Sequence, residues 1–245
     1  MGGRELETIE IPGDARRRPL VLLHEGLGSV GLWRGFPRQL SGATGRRVIA
    51  FSRFGHGRSQ PPATTRTPDF FREEALDVLP EVLAQSDAAD PILVGHSDGG
   101  SIALIHAGHR TVTGLVLLAA HVFVEEICVT AIERTRQMYL NDGLRERMAG
   151  HHDEPDITFH GWCDVWLDPA FARWDLGADA VGVTAPTLVI QGRDDAYGTL
   201  AQVDRIVDAV AGPVQRLVLP GGHSLHLERP DEVIDAITAF AAPLP

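Results

Sequence analysis

The sequence predicts an α/β protein: a mostly parallel central sheet with helices on both faces, interrupted once by a helical insertion. Three observations predict it. Short apolar runs at residues 20–23, 48–51, 92–94, 115–120, 188–190 and 217–219 each stop at a turn or a polar residue. Runs this short, rich in Val, Ile and Leu and without polar alternation, read as strands buried on both faces. Longer segments with apolar residues at helical spacing separate them, at 70–83, 101–109, 200–210 and 233–240. Strand and helix alternating in this way wind a parallel sheet with helices over both faces. The alternation then fails over residues 121–185, where helix-like stretches at 127–140 and 144–151 appear without a strand.

Taken in order, residues 5–11 are expected to add an antiparallel edge strand, and in 70–83 Phe71, Leu76, Leu79 and Leu83 share one helical face. Residues 121–185 carry Trp162, Trp166, Trp174, His151, His152 and His160 and begin directly after a strand. They read as a helical cap over the carboxyl edge of the sheet, with residues 1–120 and 186–245 forming the core. Neither an internal repeat nor a low-complexity linker divides the chain.

Composition sets the class. Of the 245 residues, 44% are hydrophobic and 22% charged, as in soluble enzymes. The net charge of −11 speaks against a nucleic-acid partner, since phosphate binding needs a concentrated basic surface. The one tight basic cluster, Arg16-Arg17-Arg18, reads as a solvated turn. Two cysteines, Cys128 and Cys163, are too few for a disulfide framework and lack metal-ligand spacing. Residues 1–14 are too polar for a secretory signal, and Leu6 stands where an acylation signal at Gly2 would need Ser or Thr. No apolar run approaches the ~20 residues of a membrane span. The expectation is a soluble cytoplasmic protein acting on a small molecule, its oligomeric state open.

The sharpest local signal is Gly95-His96-Ser97-Asp98-Gly99-Gly100, between an apolar run and a helix-like stretch. A serine held between glycines at a strand-to-helix turn can adopt a strained conformation that raises its hydroxyl clear of the sheet. A hydroxyl nucleophile needs a base, and the base needs an orienting acid. His223 fits the base, in the loop after the last predicted strand, and is preferred to His226. The acid follows the run at 188–190 in Gln191-Gly192-Arg193-Asp194-Asp195, where Asp195 matches the usual spacing better than Asp194. Glu125 or Glu126, after the strand ending at Ala120, is the third option.

With these residues the chain resembles the α/β-hydrolase superfamily along its whole length. Leu22-Leu23-His24-Glu25-Gly26 is similar to the loop that supplies an oxyanion donor, and Phe54-Gly55-His56-Gly57-Arg58-Ser59 to the turn after the next strand. Trp33 stands where many members place an aromatic. The resemblance implies an eight-stranded sheet, here with two abbreviated first strands, a variable cap and no cofactor. It implies a triad of Ser97, Asp195 and His223, with the backbone N–H groups of Gly26 and Asp98 as oxyanion donors. Losing one such donor typically raises the barrier by about 3 kcal/mol.

Two residues depart from the family pattern. Glu25 separates His24 from Gly26, and a carboxylate there would oppose a developing oxyanion. Either Arg53 pairs with it or it faces solvent. Asp98 follows the nucleophile, where it either favours the helix dipole or contacts a polar group of the substrate. In the cap, His121 is a candidate pocket residue. Trp162 and Trp166, four apart on a helix, read as cap core before substrate platforms. His151-His152-Asp153-Glu154 lacks the spacing of a zinc site, and no metal is expected.

The expected reaction is hydrolysis of a carboxylic ester or thioester, with carbon–carbon hydrolysis as a variant. A serine nucleophile speaks against the dehalogenase and epoxide hydrolase chemistry of aspartate members. The alternatives are a ligand receptor or scaffold that kept the fold without turnover, and a lyase or cofactor-free oxygenase on the same constellation.

Overall fold

The structure is a computed structural model that describes residues 5–245. The part of the amino-terminal reading that concerns residues 1–4, Gly2 included, lies outside the described residues. Among the described residues seven strands form one sheet: β1 (Thr8–Ile11), β2 (Leu20–Leu23), β3 (Val48–Phe51), β4 (Ile92–His96), β5 (Gly114–Leu118), β6 (Thr187–Gly192) and β7 (Val214–Leu219). Their spatial order is β1-β3-β2-β4-β5-β6-β7, and only β1 runs antiparallel to its neighbour. Among the described residues a single strand precedes the parallel run, where the resemblance implies two.

Successive side chains of a strand point to opposite faces, and the core divides accordingly. Val21, Leu23, Ile49, Phe51, Leu93, Leu115 and Leu117 pack on one face, while Leu20, Leu22, Val48, Ala50, Ile92, Val94 and Val116 pack on the other. The second face is covered by α1 (Phe36–Thr44) and, from the end of the chain, Pro230–Ala241. The buried Arg46 guanidinium fastens that last helix by donating to the carbonyls of Ala241, Leu244 and Pro245 and to that of Arg18. Of these, the Ala241 carbonyl ends the helix, where the last carbonyls have no intrahelical partner, and those of Leu244 and Pro245 follow it in the chain.

Two expectations are corrected. The last strand is not buried on both faces: β7 has neighbours on one side only and is half-buried to exposed. The helical stretch after β3 is not one regular stripe but α2 (Phe70–Glu73), a π turn over Glu74–Val78 and α3 (Leu79–Gln85). Pro80 cannot donate to the preceding turn and crowds its carbonyl, so the helix widens just before it. The wider turn buries Ala75 completely and leaves Leu76 half-buried.

The remaining helices are α4 (Asp98–His109), α5 (Glu126–Asn141), α6 (Leu144–Met148), α7 (Pro155–Trp166), α8 (Gly177–Val181), α9 (Leu200–Ala209), α10 (Leu225–Glu228) and α11 (Pro230–Ala241). Between β5 and β6 the chain forms α5 to α8, with one isolated bridge between Phe123 and Asp175. This stretch docks on α2 through rings: Phe71 stacks on Phe171 at 5.7 Å and meets Trp174 at 4.9 Å and Trp166 at 6.1 Å.

Candidate active site

Parallel strands put their carboxyl ends on one edge of the sheet, and there the sequence-predicted residues converge. Ser97 lies between β4 and α4 at φ 53°, a left-handed conformation that costs a residue with a Cβ. The flanking glycines make the turn possible: a Cβ at Gly95 would run into the backbone of Gly99 and Gly100, and one at Gly99 into that of Leu23 and His24. Ser97 faces a cavity of about 220 Å³. His223 lines the same cavity; among the described hydrogen bonds none joins its ring to the Ser97 hydroxyl.

The loop after β6 brings Asp195, not Asp194, to the histidine. His223 Nδ1 lies 2.9 and 2.8 Å from the two Asp195 oxygens, and the Asp195 carboxylate is buried. Gln191 Nε2 and the Tyr197 N–H also donate to it, each at 2.8 Å. Burial pushes its pKa up, but the His223 hydrogen bond and charge and the Tyr197 N–H outweigh that, and the carboxyl is held below its ordinary range. Asp194 is exposed, its N–H donated to the Gly221 carbonyl. Glu125 is engaged by Thr199 and Gln202, and Glu126 opens α5. His226 packs against Trp33 at 4.8 Å on the far side of His96, and burial lowers its pKa to about 3.

The loop after β2 is held by its carbonyls. Arg53 donates to the His24 and Glu25 carbonyls at 2.5 and 3.0 Å, His56 Nε2 to that of Gly26 at 2.9 Å and His152 Nε2 to that of Leu27 at 3.0 Å. Burial pushes His24, His56 and His152 below the ordinary histidine range, so each ring is neutral and splits into one donor and one acceptor nitrogen. With consecutive carbonyls drawn outward, the Gly26 N–H makes no turn or loop hydrogen bond among the described residues, nor does the Asp98 N–H at the start of α4. Both residues line the cavity. A Cβ at Gly26 would overlap the Trp162 indole, so only glycine lets α7 settle on this loop.

The expected pairing of Glu25 with Arg53 is overturned: the guanidinium takes the loop's carbonyls, and the carboxylate turns to His96, with Oε2 3.3 Å from Nδ1. Nor does Glu25 simply face solvent, since its carboxylate also folds closely over Gly28. Asp98 is buried beside the cavity, its Oδ1 accepting from Trp166 Nε1 at 3.2 Å and its Oδ2 without a partner among the described residues. Burial raises its pKa despite Arg53, Trp166 and Arg66. Trp162 and Trp166 belong to the core, as the first reading of them expects, and also line the cavity. His121 lies on the cavity wall between the rings of Trp166 and His223, and burial lowers its pKa to about 3. Cys128, Ile132 and Tyr197 complete the apolar side.

Sequence reasoning missed the clamp of His24, Arg53, His56 and His152, and it missed His96. His56 belongs to a recognised turn and His152 to a histidine pair set aside as a metal site, but nothing in their spacing points to the same loop. Among the described residues no group of three or more His, Cys, Asp or Glu is arranged to hold a metal ion. No helix among them is long and apolar enough to cross a membrane.

Residues 20–236 match the alpha/beta hydrolase family. The chain belongs to this family. Among curated relatives, it is 26% identical over 215 residues to the mouse protein named serine hydrolase BPHL, covering 80% of this chain and 70% of that one. It is 23% identical to the mouse sn-1-specific diacylglycerol lipase ABHD11, across 95% of this chain and 83% of that one. In fold it is similar to the enol-lactonase from Burkholderia xenovorans LB400, with a TM-score of 0.77 at 20% identity, covering 98% and 97% of the two chains. These relatives place the chain in a hydrolase family whose members differ in substrate.

Proposed function

We propose that this alpha/beta hydrolase is a serine hydrolase that cleaves a carboxylic ester or thioester of a small molecule through an acyl-enzyme. One observation carries the reading: Ser97, raised on a strained turn, faces the same small cavity as a histidine whose other nitrogen is held by a buried aspartate. Relatives named serine hydrolase and diacylglycerol lipase support it.

Ser97 Oγ attacks the carbonyl carbon while His223 Nε2 takes the hydroxyl proton. The carbonyl electron pair moves onto oxygen, where the N–H groups of Gly26 and Asp98 receive the charge. Collapse expels the alcohol or thiol, which recovers the proton from His223, and water then repeats the sequence to free the acid. Asp195 fixes the tautomer that presents Nε2 and stabilises the imidazolium. Residues 121–185 act as the cap, through Cys128, Ile132, Trp162 and Trp166. A cavity of about 220 Å³ is below the usual range for drug-sized ligands and suits a short acyl group.

Asp98 lines the cavity, and among the described residues its buried Oδ2 has no hydrogen-bond partner. A buried carboxylate oxygen without a donor is destabilising, and a side-chain shift that uncovers it on binding would let a substrate ammonium or hydroxyl close to the scissile carbonyl satisfy it. A fluorophosphonate probe is expected to label Ser97 in the folded protein, and p-nitrophenyl esters to be cleaved fastest with short acyl chains. Folded protein that the probe leaves unlabelled overturns the hydrolase reading.

A further inference from the structure

His96 occupies the variable position of the nucleophile turn, yet it is buried and both of its ring nitrogens face oxygen. Nε2 is 2.8 Å from the backbone carbonyl of His223, and Nδ1 is 3.3 Å from Glu25 Oε2. A carbonyl can only accept, so Nε2 carries a proton. Nδ1 and Oε2 then repel unless a second proton lies between them. The ring therefore joins the loop that presents the Gly26 N–H to the loop that presents the His223 imidazole, from a point one residue before Ser97.

We infer that His96, as an imidazolium paired with the Glu25 carboxylate, is a positioning residue that spaces the oxyanion loop from the base loop and turns the Glu25 charge away from the reacting carbonyl. The inference rests on the assignment of Ser97, His223 and Gly26 made above.

The surroundings agree. The His96 ring faces Glu25 after β2, His223 and His226 after β7, with Asp195 after β6 and His121 after β5 acting from further off. Of these, His121 and His226 are kept neutral by burial, and the carboxylate that meets the His96 ring directly is that of Glu25. Burial opposes the imidazolium, but the Glu25 hydrogen bond and charge and the His223 carbonyl outweigh it, and the His96 pKa is raised. Glu25 is correspondingly pushed below the carboxylate range, burial again opposing and His96 prevailing. Gly28 leaves room for the carboxylate to fold back toward the ring, because a Cβ there would stand against Glu25 Oε2.

The sign of the pH dependence follows. With an acceptor on each side, His96 holds both only while protonated, so the brace is intact at low pH and fails as pH rises through the raised His96 value. Glu25→Gln changes this, because its amide can donate to Nδ1 of a neutral ring while Nε2–H still reaches the carbonyl. Glu25→Leu offers no partner at any pH.

The experiment compares wild type, Glu25→Gln, Glu25→Leu and His96→Leu, using pH profiles of kcat and KM on a p-nitrophenyl ester together with histidine 15N NMR of the intact protein. In the wild type, His96 is expected to stay doubly protonated above the ordinary histidine range, and kcat to fall as it deprotonates. Glu25→Gln is expected to make His96 neutral near pH 7, to abolish that alkaline fall and to retain more kcat than Glu25→Leu. The two leucine variants are expected to lose about tenfold in kcat with KM within twofold, thermal melts confirming that each is folded. The inference is overturned if wild-type His96 titrates as it does in Glu25→Gln, if the alkaline fall persists in that variant, or if Glu25→Leu keeps its kcat. Because the NMR reading needs no turnover, it stands even if Ser97 proves unreactive, a failure that the fluorophosphonate probe detects separately.

Discussion

The cavity has two unlike sides. The sheet side is made of loops whose backbone geometry is dictated residue by residue: Ser97 at positive φ, the Gly26 loop held by its carbonyls, and Asp195 and His223 on consecutive strand ends. The side from α5 and α7 is made of large side chains, Ile132, Trp162 and Trp166, whose placement comes from packing. Backbone-defined sites tolerate almost no substitution at the residues that shape them, whereas a packed wall can be recut with smaller consequences. In the proposed function, chemistry belongs to the first side and selectivity to the second.

Ser97→Ala breaks the sheet side most completely. A loss of about 10⁶-fold in kcat is expected, the scale for removing a triad nucleophile, with probe labelling abolished and the melting temperature little changed. Asp195→Asn should follow, at about 10⁴-fold, because the amide favours the wrong imidazole tautomer. Asp194→Asn, one residue away but exposed, should stay within twofold; equal losses in the two variants would mean that the acid is misassigned.

Gly26→Ala tests the seam between the two sides. The added methyl meets the Trp162 indole and would displace the proposed oxyanion donor, for which the expected loss in kcat is about 10²- to 10³-fold. Combining it with Trp162→Leu should recover part of that loss, a coupling that a double-mutant cycle measures. Strict additivity would show that the two sides act independently.

The smallest effect concerns Asp98. Its pKa is raised on folding, so the stability associated with its protonated form is complete below the ordinary carboxylate range and is lost as pH rises through the folded value. Asp98→Asn is therefore expected to raise the melting temperature at pH 7 by about 2–4 °C, the shift that 1 kcal/mol gives in a protein of this size, and to leave it unchanged near pH 3. The same variant should raise KM for esters carrying an ammonium or hydroxyl group near the carbonyl more than for plain alkyl esters. A uniform change across both classes would remove Asp98 from substrate recognition.

The contrast between the two sides also explains what could be read from the chain. That Ser97, Asp195 and His223 come together at one edge of the sheet was legible because each lies in a loop directly after a strand, where order and glycine spacing restrict the geometry. The parallel sheet was legible from apolar runs such as 20–23 and 48–51, whose every residue is buried. Exposure of β7 was not, since an edge strand differs from a central one only by a missing neighbour. The π turn at Glu74–Val78 was hidden because the pattern around Pro80 still looks helical. Arg53 was assigned the wrong partner for a related reason. Charge suggests a carboxylate, while the guanidinium in fact meets the backbone carbonyls of His24 and Glu25, which every sequence possesses. His96 escaped notice because the motif leaves its position unspecified.

The contact of Trp162 with Gly26 bears on how such proteins can be recombined. Since a glycine on the sheet side is matched to an indole on α7, residues 121–185 do not form an interchangeable cassette. A helical segment transplanted from a relative brings its own side chain to that point. A smaller one leaves a void over the loop, and a larger one collides with it. A graft that preserves function must therefore carry across the β2 loop together with α7, so the natural unit of exchange is discontinuous in sequence.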